Sequence, residues 1–233
     1  MWALAGDSGY DVRRRLVHNP AIPLDLLARL APTTRIGATL LPRIAAATQD
    51  EIAELAASSV PAMRMLLAER HDLPRPVIDR LAADPDAKVL KSVATNPALT
   101  GDQLRALVAG HGPRVAARVA ANPSCPSDLL LALARYEPLV RKVFRSMAKH
   151  PNAPAEALLA CLDDQKARRI AASHPALPTP AIVELLADPD ILVAANAAAN
   201  PSLPEAAMLS LLTAGSTRGC GRPADHPPPR RAD

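Results

Sequence analysis

Apolar residues along this chain recur three or four apart in short phrases, as in Leu104 and Leu107 or Val115 and Val119. That spacing puts them on one face of a helix. No stretch alternates β-branched and polar residues over a useful length, so no strand is predicted. Between the phrases stand Asn-Pro or His-Pro pairs, at Asn96, Asn122, His150, His174 and Asn200, in steps of 26, 28, 24 and 26 residues. An earlier pair begins at Asn19. Each unit reads [Asn/His]-Pro-x-apolar-[Pro/Thr], a Leu-x-x-Leu phrase, Asp-Pro-Asp, and a Val-x-x-x-Val-Ala phrase. Physically it is two short helical pieces and two stops. Proline suits a helix start, where its missing N–H costs nothing, and it drives the residue before it out of the α region. Asp84 and Asp188, in Asp-Pro-Asp, are expected to cap the second piece. Helices this short do not stand alone in water, so the units must stack and bury Val and Leu ladders between them. The predicted ladders are Val89, Val115, Val143 and Val193 with Leu81, Leu107, Leu133 and Leu185.

The copies before Asn96 are eroded. "LAASSVPAMRMLLAER" (55–70) aligns without gaps on "LAADPDAKVLKSVATN" (81–96). "LAGDSGYDVRRRLVHN" (4–19) aligns too, which places the first residues in mid-repeat. In 28–55, Gly37 and Pro42 stand where helix interior belongs, predicting a shortened second helix or a local bend. Thr48 followed by Glu51 predicts a capping box and a helix from about residue 49.

The phrases "LAADPDAKVLKSVATNPAL" and "LLADPDILVAANAAANPSLP" resemble leucine-rich repeat variant (LRV) units. The resemblance spans roughly residues 4–212. It implies an all-α, right-handed superhelical solenoid of ~24–28-residue repeats, each a short α-helix alternating with a second short α or 3₁₀ helix. About eight units are expected over 1–212, the first incomplete and the second and third eroded. Some members of that family carry a cysteine-rich iron–sulfur module ahead of the repeats. No cysteine precedes Cys125, so that redox role is not carried over.

Composition sharpens this picture. Hydrophobic residues make up 49% of the 233 but aromatics only 2%, so the core must be aliphatic. Cys125, Cys161 and Cys220 are far apart, which argues against disulfides and thiolate metal sites and fits a cytoplasmic protein. Cys125 and Cys161 read as small buried hydrophobes. "MWALAGDSGYD" lacks the regions of a signal peptide, and no apolar run approaches the roughly 18 residues that would span a membrane. The segment 213–233, small, proline-rich and charged, is expected to be a disordered tail.

Catalytic chemistry finds no motif. His150 and His174 occupy the Asn slot, where a turn-capping role is expected, and the six histidines form no HxxxH pair for zinc. Asp163 and Asp164 replace Asp-Pro-Asp and read as caps. No glycine-rich phosphate loop exists. No catalytic residue, cofactor or metal is therefore expected, and an enzyme would need a site assembled across several repeats.

Charge is the one patterned surface feature. In register, the residue before the buried Val is Lys88, Arg114, Lys142 or Lys166; three residues later come Lys91, Ala117, Arg145 and Arg169. Residues three apart share a helix face, so two basic columns are predicted, thickened by Arg118, Arg141, Lys149 and Arg168. The first helices carry acids, Asp79, Asp102, Asp128, Glu156, Glu184 and Glu205, which predicts faces of opposite sign. The function expected is a non-catalytic scaffold binding another protein, one with an acidic segment, through Lys88, Lys91, Arg114, Arg118, Lys142, Arg145, Lys166 and Arg169. The alternative is duplex nucleic-acid backbone binding by the same columns. Against it stand a net charge of only +4 and four aromatic residues for stacking.

Overall fold

A computed structural model describes residues 10–37, 39–137 and 140–210. Their regular structure is entirely α-helical, with no strand or 3₁₀ helix among the described residues. They fall into two units, one ending at Ala171 and the other beginning at Ala172. In the first unit the leading helices of the repeats are Leu24–Leu30, Gln49–Ala57, Arg75–Ala82, Gly101–His111, Ser127–Ala134 and Ala155–Cys161. The second helices are Tyr10–Val17, Pro61–Ala68, Ala87–Val93, Pro113–Val119, Arg141–Met147 and Gln165–Ala171. From Pro61–Ala68 onward each second helix packs on the next, so the repeats stack in chain order. The second unit holds Thr179–Leu185, Ile191–Ala198 and helical residues 205–210. The tail expected over 213–233 and residues 4–9 of the first copy lie outside the described residues. None of the described helices is long and apolar enough to cross a membrane.

A two-turn helix has room for one buried stripe, and the ladders fill it. Val89, Val115, Val143 and Val193 are at most 2% exposed, and Leu81, Leu107, Leu133 and Leu185 at most 7%. Removing such a side chain from water is worth roughly 1.5–3 kcal/mol. Ala68, Ala94, Ala120, Ala148 and Ala172 close the second helices as buried small residues. Cys125 sits in the slot of Leu99 and Cys161 in that of Leu107; burial pushes both thiols up to about 12, out of nucleophile range.

The Asn slot does more than cap. Asn96, Asn122, His150, His174 and Asn200 are all buried. The Asn122 Oδ1 accepts from the Ser124 N–H at 2.8 Å, while its Nδ2 donates at 2.8 Å to the carbonyls of Ala94 and Asn96, one repeat back. Asn200 repeats the pattern on Ala172 and His174. His150 fills both roles with its ring: Nδ1 accepts from the Asn152 N–H, so the proton sits on Nε2, which lies 2.7 Å from the Asn122 carbonyl. The slot thus clamps one repeat onto its predecessor and satisfies groups that would otherwise be buried unpaired.

Three expectations are corrected. The proline after the slot does not open the first helix. A turn intervenes, closed by Leu99 N–H to Asn96 O at 3.1 Å, and the helix starts three residues or more later. In Asp-Pro-Asp the cap of the second helix is the second acid: Asp86 accepts from the Lys88 N–H at 2.7 Å, and Asp190 from that of Leu192. The first acid, Asp84 or Asp188, instead accepts from the backbone of the second. In 28–55 the second helix is missing altogether. Residues 35–37 and 39–41 are non-helical, and Pro42 opens the short helix Pro42–Ala45 at a position where its missing N–H does no harm. The Thr48–Glu51 capping box forms as expected, and Arg43 with the Thr48 amide holds the Glu51 carboxyl down to about 2.

Two local departures have clear causes. Arg64 stands where Leu90 lies one repeat later, and its guanidinium grips buried Asp84 at 2.6 and 3.0 Å. Burial alone would raise the Asp84 carboxyl; Arg64 and the Asp86 amide outweigh it and hold it below the usual carboxylate value. Gly112 replaces the Asp-Pro-Asp acid with φ +50°, and a Cβ there would lie 2.6 Å from the Tyr136 hydroxyl, so only glycine fits.

Candidate functional site

The second helices of the first unit carry the predicted columns, because burying the Val stripe and the closing Ala leaves the intervening positions outward. Lys88, Lys91, Arg114, Lys142 and Lys166 are exposed, and Arg118 and Arg145 half-buried. Five of the eight predicted residues line two adjoining depressions. A groove of ≈ 630 Å³ is bordered by Arg118, Lys142, Arg145 and Lys149, with Ala117, Ser146 and His150 also lining it. A smaller recess of ≈ 220 Å³ is bordered by Lys88, Lys91 and the same Arg118, beside Met65 and Glu69. Arg118 therefore links the cations of three successive helices into one run. Arg114 is exposed but lines neither depression; Ala117 in the Lys91 slot leaves a gap that Arg118, one residue on, fills. Lys166 is exposed outside the groove, and Arg169 is half-buried with interactions of its own.

No ion pair among the described residues involves Lys88, Lys91, Arg114, Arg118, Lys142, Arg145 or Lys166. The Arg145 Nε is buried with no hydrogen-bond partner. The first-helix face is different. Arg75 pairs with Asp79 at 3.0 Å, Arg105 with Asp102 at 3.0 Å and Asp128 at 2.7 Å, and Arg135 with Glu156 at 3.2 Å. The hydrogen bond from Arg105 lowers the Asp128 carboxyl's pKa, and the arginine's rises in return. The expectation of an acidic first-helix face is thus corrected in the first unit: arginines on that face neutralise the acids. The asymmetry is between a paired surface and an unpaired one. The sequence signal for it was available in Arg75, Arg105 and Arg135, which recur near the first-helix acids.

Of the groove's lining, the Ser146 hydroxyl donates to the Ala117 carbonyl at 3.1 Å, and the His150 ring is held between the Asn122 carbonyl and the Asn152 N–H. Among the described residues no three His, Cys, Asp or Glu side chains gather as a metal would need. What the groove can do is attract and orient negative charge along a line of repeats.

No family model matches the chain, and no curated protein matches it significantly. It is similar to a solved structure described as a leucine-rich repeat variant with a novel repetitive protein structural motif. The identity is 24%, covering 88% of this chain and 82% of that one, with a TM-score of 0.49. The repeat named there is the one its Asn-Pro units resemble.

Proposed function

We propose that this chain is a non-catalytic repeat scaffold that binds an acidic segment of another protein along the second-helix face of its first unit. The observation that supports this is the contrast in pairing. Acids on the first helices are met by arginines, whereas Lys88, Lys91, Arg118, Lys142 and Arg145 line two depressions that share Arg118 and form no ion pair among the described residues. Clustered like charges repel one another, and an acidic partner relieves that repulsion while it gains the pairs. Polyglutamate binding, measured by calorimetry, tests the reading. Affinity should fall steeply between low and physiological salt, as screening requires. Reversing both Lys88 and Lys142 to Glu should abolish it with helicity unchanged, since exposed charge swaps cost little stability. Binding that survives the reversal would place the partner surface elsewhere.

A further inference from the structure

The gap left by the missing second helix of 28–55 narrows the partner. We infer that the partner's acidic segment carries one large apolar side chain that anchors in this gap; this rests on the reading of the face as acid-binding. A cavity of ≈ 680 Å³ opens where residues 31–36 pass the helix Pro61–Ala68, a size within the roughly 300–1,000 Å³ of binding pockets. Ile36, Val60, Ala62 and Met65 supply its apolar wall. In the alignment of 55–70 on 81–96, Ala62 takes the slot of Lys88 and Met65 that of Lys91. The basic columns thus turn apolar at the second helix that borders the gap, and both side chains are half-buried. Ile36, Met65 and Lys88 also line the ≈ 220 Å³ recess that holds Lys91 and Arg118, so the apolar wall is continuous with cations that form no ion pair. Around the two spaces stand Arg35, Lys88, Lys91 and Arg118 against Glu69 and Asp86, four charges to two, which favours an acid beside the anchor. Thr34 lines the cavity, is 6% exposed, and its hydroxyl has no hydrogen-bond partner. The backbone of an occupant would supply one and remove the cost of leaving that group buried and unpaired. Exposed ion pairs alone are weak and screened, whereas a single buried anchor carries much of the affinity at an interface.

The test uses the full chain and two dye-labelled peptides of equal charge, each with three glutamates on either side of a central tryptophan or a central serine. Fluorescence anisotropy at low salt should show the tryptophan peptide binding about tenfold tighter, the gain expected from burying one large apolar side chain. Ala62→Trp fills the cavity from its own wall. It should remove that preference and leave the serine peptide's affinity unchanged, with circular dichroism checking the fold. Should it unfold, Met65→Ser is the substitute and should at least halve the preference. Equal affinity for the two peptides, or a preference that survives in folded Ala62→Trp, would overturn the anchor and leave acid binding standing. Failure of both peptides, like that of polyglutamate, would overturn acid binding itself and the anchor with it.

Discussion

The regular repeat around Val115 and the irregular stretch around Gly37 occupy the same register, 78 residues apart, and solve one problem differently. In the regular repeat a second helix buries Val115, and Asn122 clamps its turn to the carbonyls of Ala94 and Asn96. In the irregular stretch the second helix is gone, Gly37 is exposed, and apolar Ile44 sits in the Asn slot. The junction is still clamped. Arg70, in the next Asn slot, donates to the carbonyls of Ile44 and Ala47 at 3.2 and 3.0 Å, anchored from the side by Asp72. A guanidinium reaches farther than an amide and carries more donors. The stack therefore tolerates loss of a helix more readily than loss of the bonds between turns.

The comparison can be broken first at the core. Val115→Asp should cost more than about 3 kcal/mol in urea unfolding, because it buries an unpaired charge. Gly37→Asp, in the equivalent slot, should change stability by no more than about 0.5 kcal/mol, since the position is exposed and its surroundings open. Comparable losses at both would mean that the irregular stretch is packed like the others.

Next in size is the Arg64–Asp84 pair. Arg64→Leu restores the aliphatic side chain seen one repeat later but strands a buried carboxylate, at a cost of about 3 kcal/mol at neutral pH. Asp84 titrates lower folded than unfolded. Its contribution is therefore complete above the unfolded value, near 3.8, and is lost as pH falls through the lower folded value. Adding Asp84→Asn to Arg64→Leu should recover part of the loss and flatten the acid limb of the stability profile.

Asn122→Ala should cost about 2 kcal/mol by thermal or urea unfolding, since it takes the acceptor from the Ser124 amide and a donor from the carbonyls of Ala94 and Asn96. The smallest effect sharpens the comparison best: His150→Asn should be neutral within about 1 kcal/mol, because an amide can make both bonds of that ring. A large loss there would show that ring volume, not hydrogen bonding, holds the junction.

Much of this was legible from repetition. The Val and Leu ladders and the Cys125 and Cys161 slots follow from aligning the units, since burial recurs wherever the register does, and the Thr48–Glu51 box follows from its own three-residue spacing. The clamp was not, because Asn122 announces only its local turn; the carbonyls it holds lie 26 and 28 residues back and carry no side-chain signature. Arg70 was hidden for a related reason: arginine shares no outline with asparagine, only the ability to donate. The basic columns were visible as charge, but which cations would be left unpaired depended on cross-repeat reach. Arg105 finds Asp128 a full repeat away, and Arg118 takes the place in the groove that register alone gives to Arg114.

The slot side chains of Arg70, Asn96, Asn122 and His150 all reach backward, toward carbonyls synthesised earlier. Two of those carbonyls are already occupied by their own turns, Asn96 O by Leu99 N–H and Asn122 O by Cys125 N–H. A carbonyl has a second lone pair and can wait with one bond; a buried amide donor cannot. At these four slots, then, the growing end of the chain offers acceptors and the donors arrive one repeat later. Each repeat leaving the ribosome meets a finished template, so the stack is suited to assembly in the direction in which it is made.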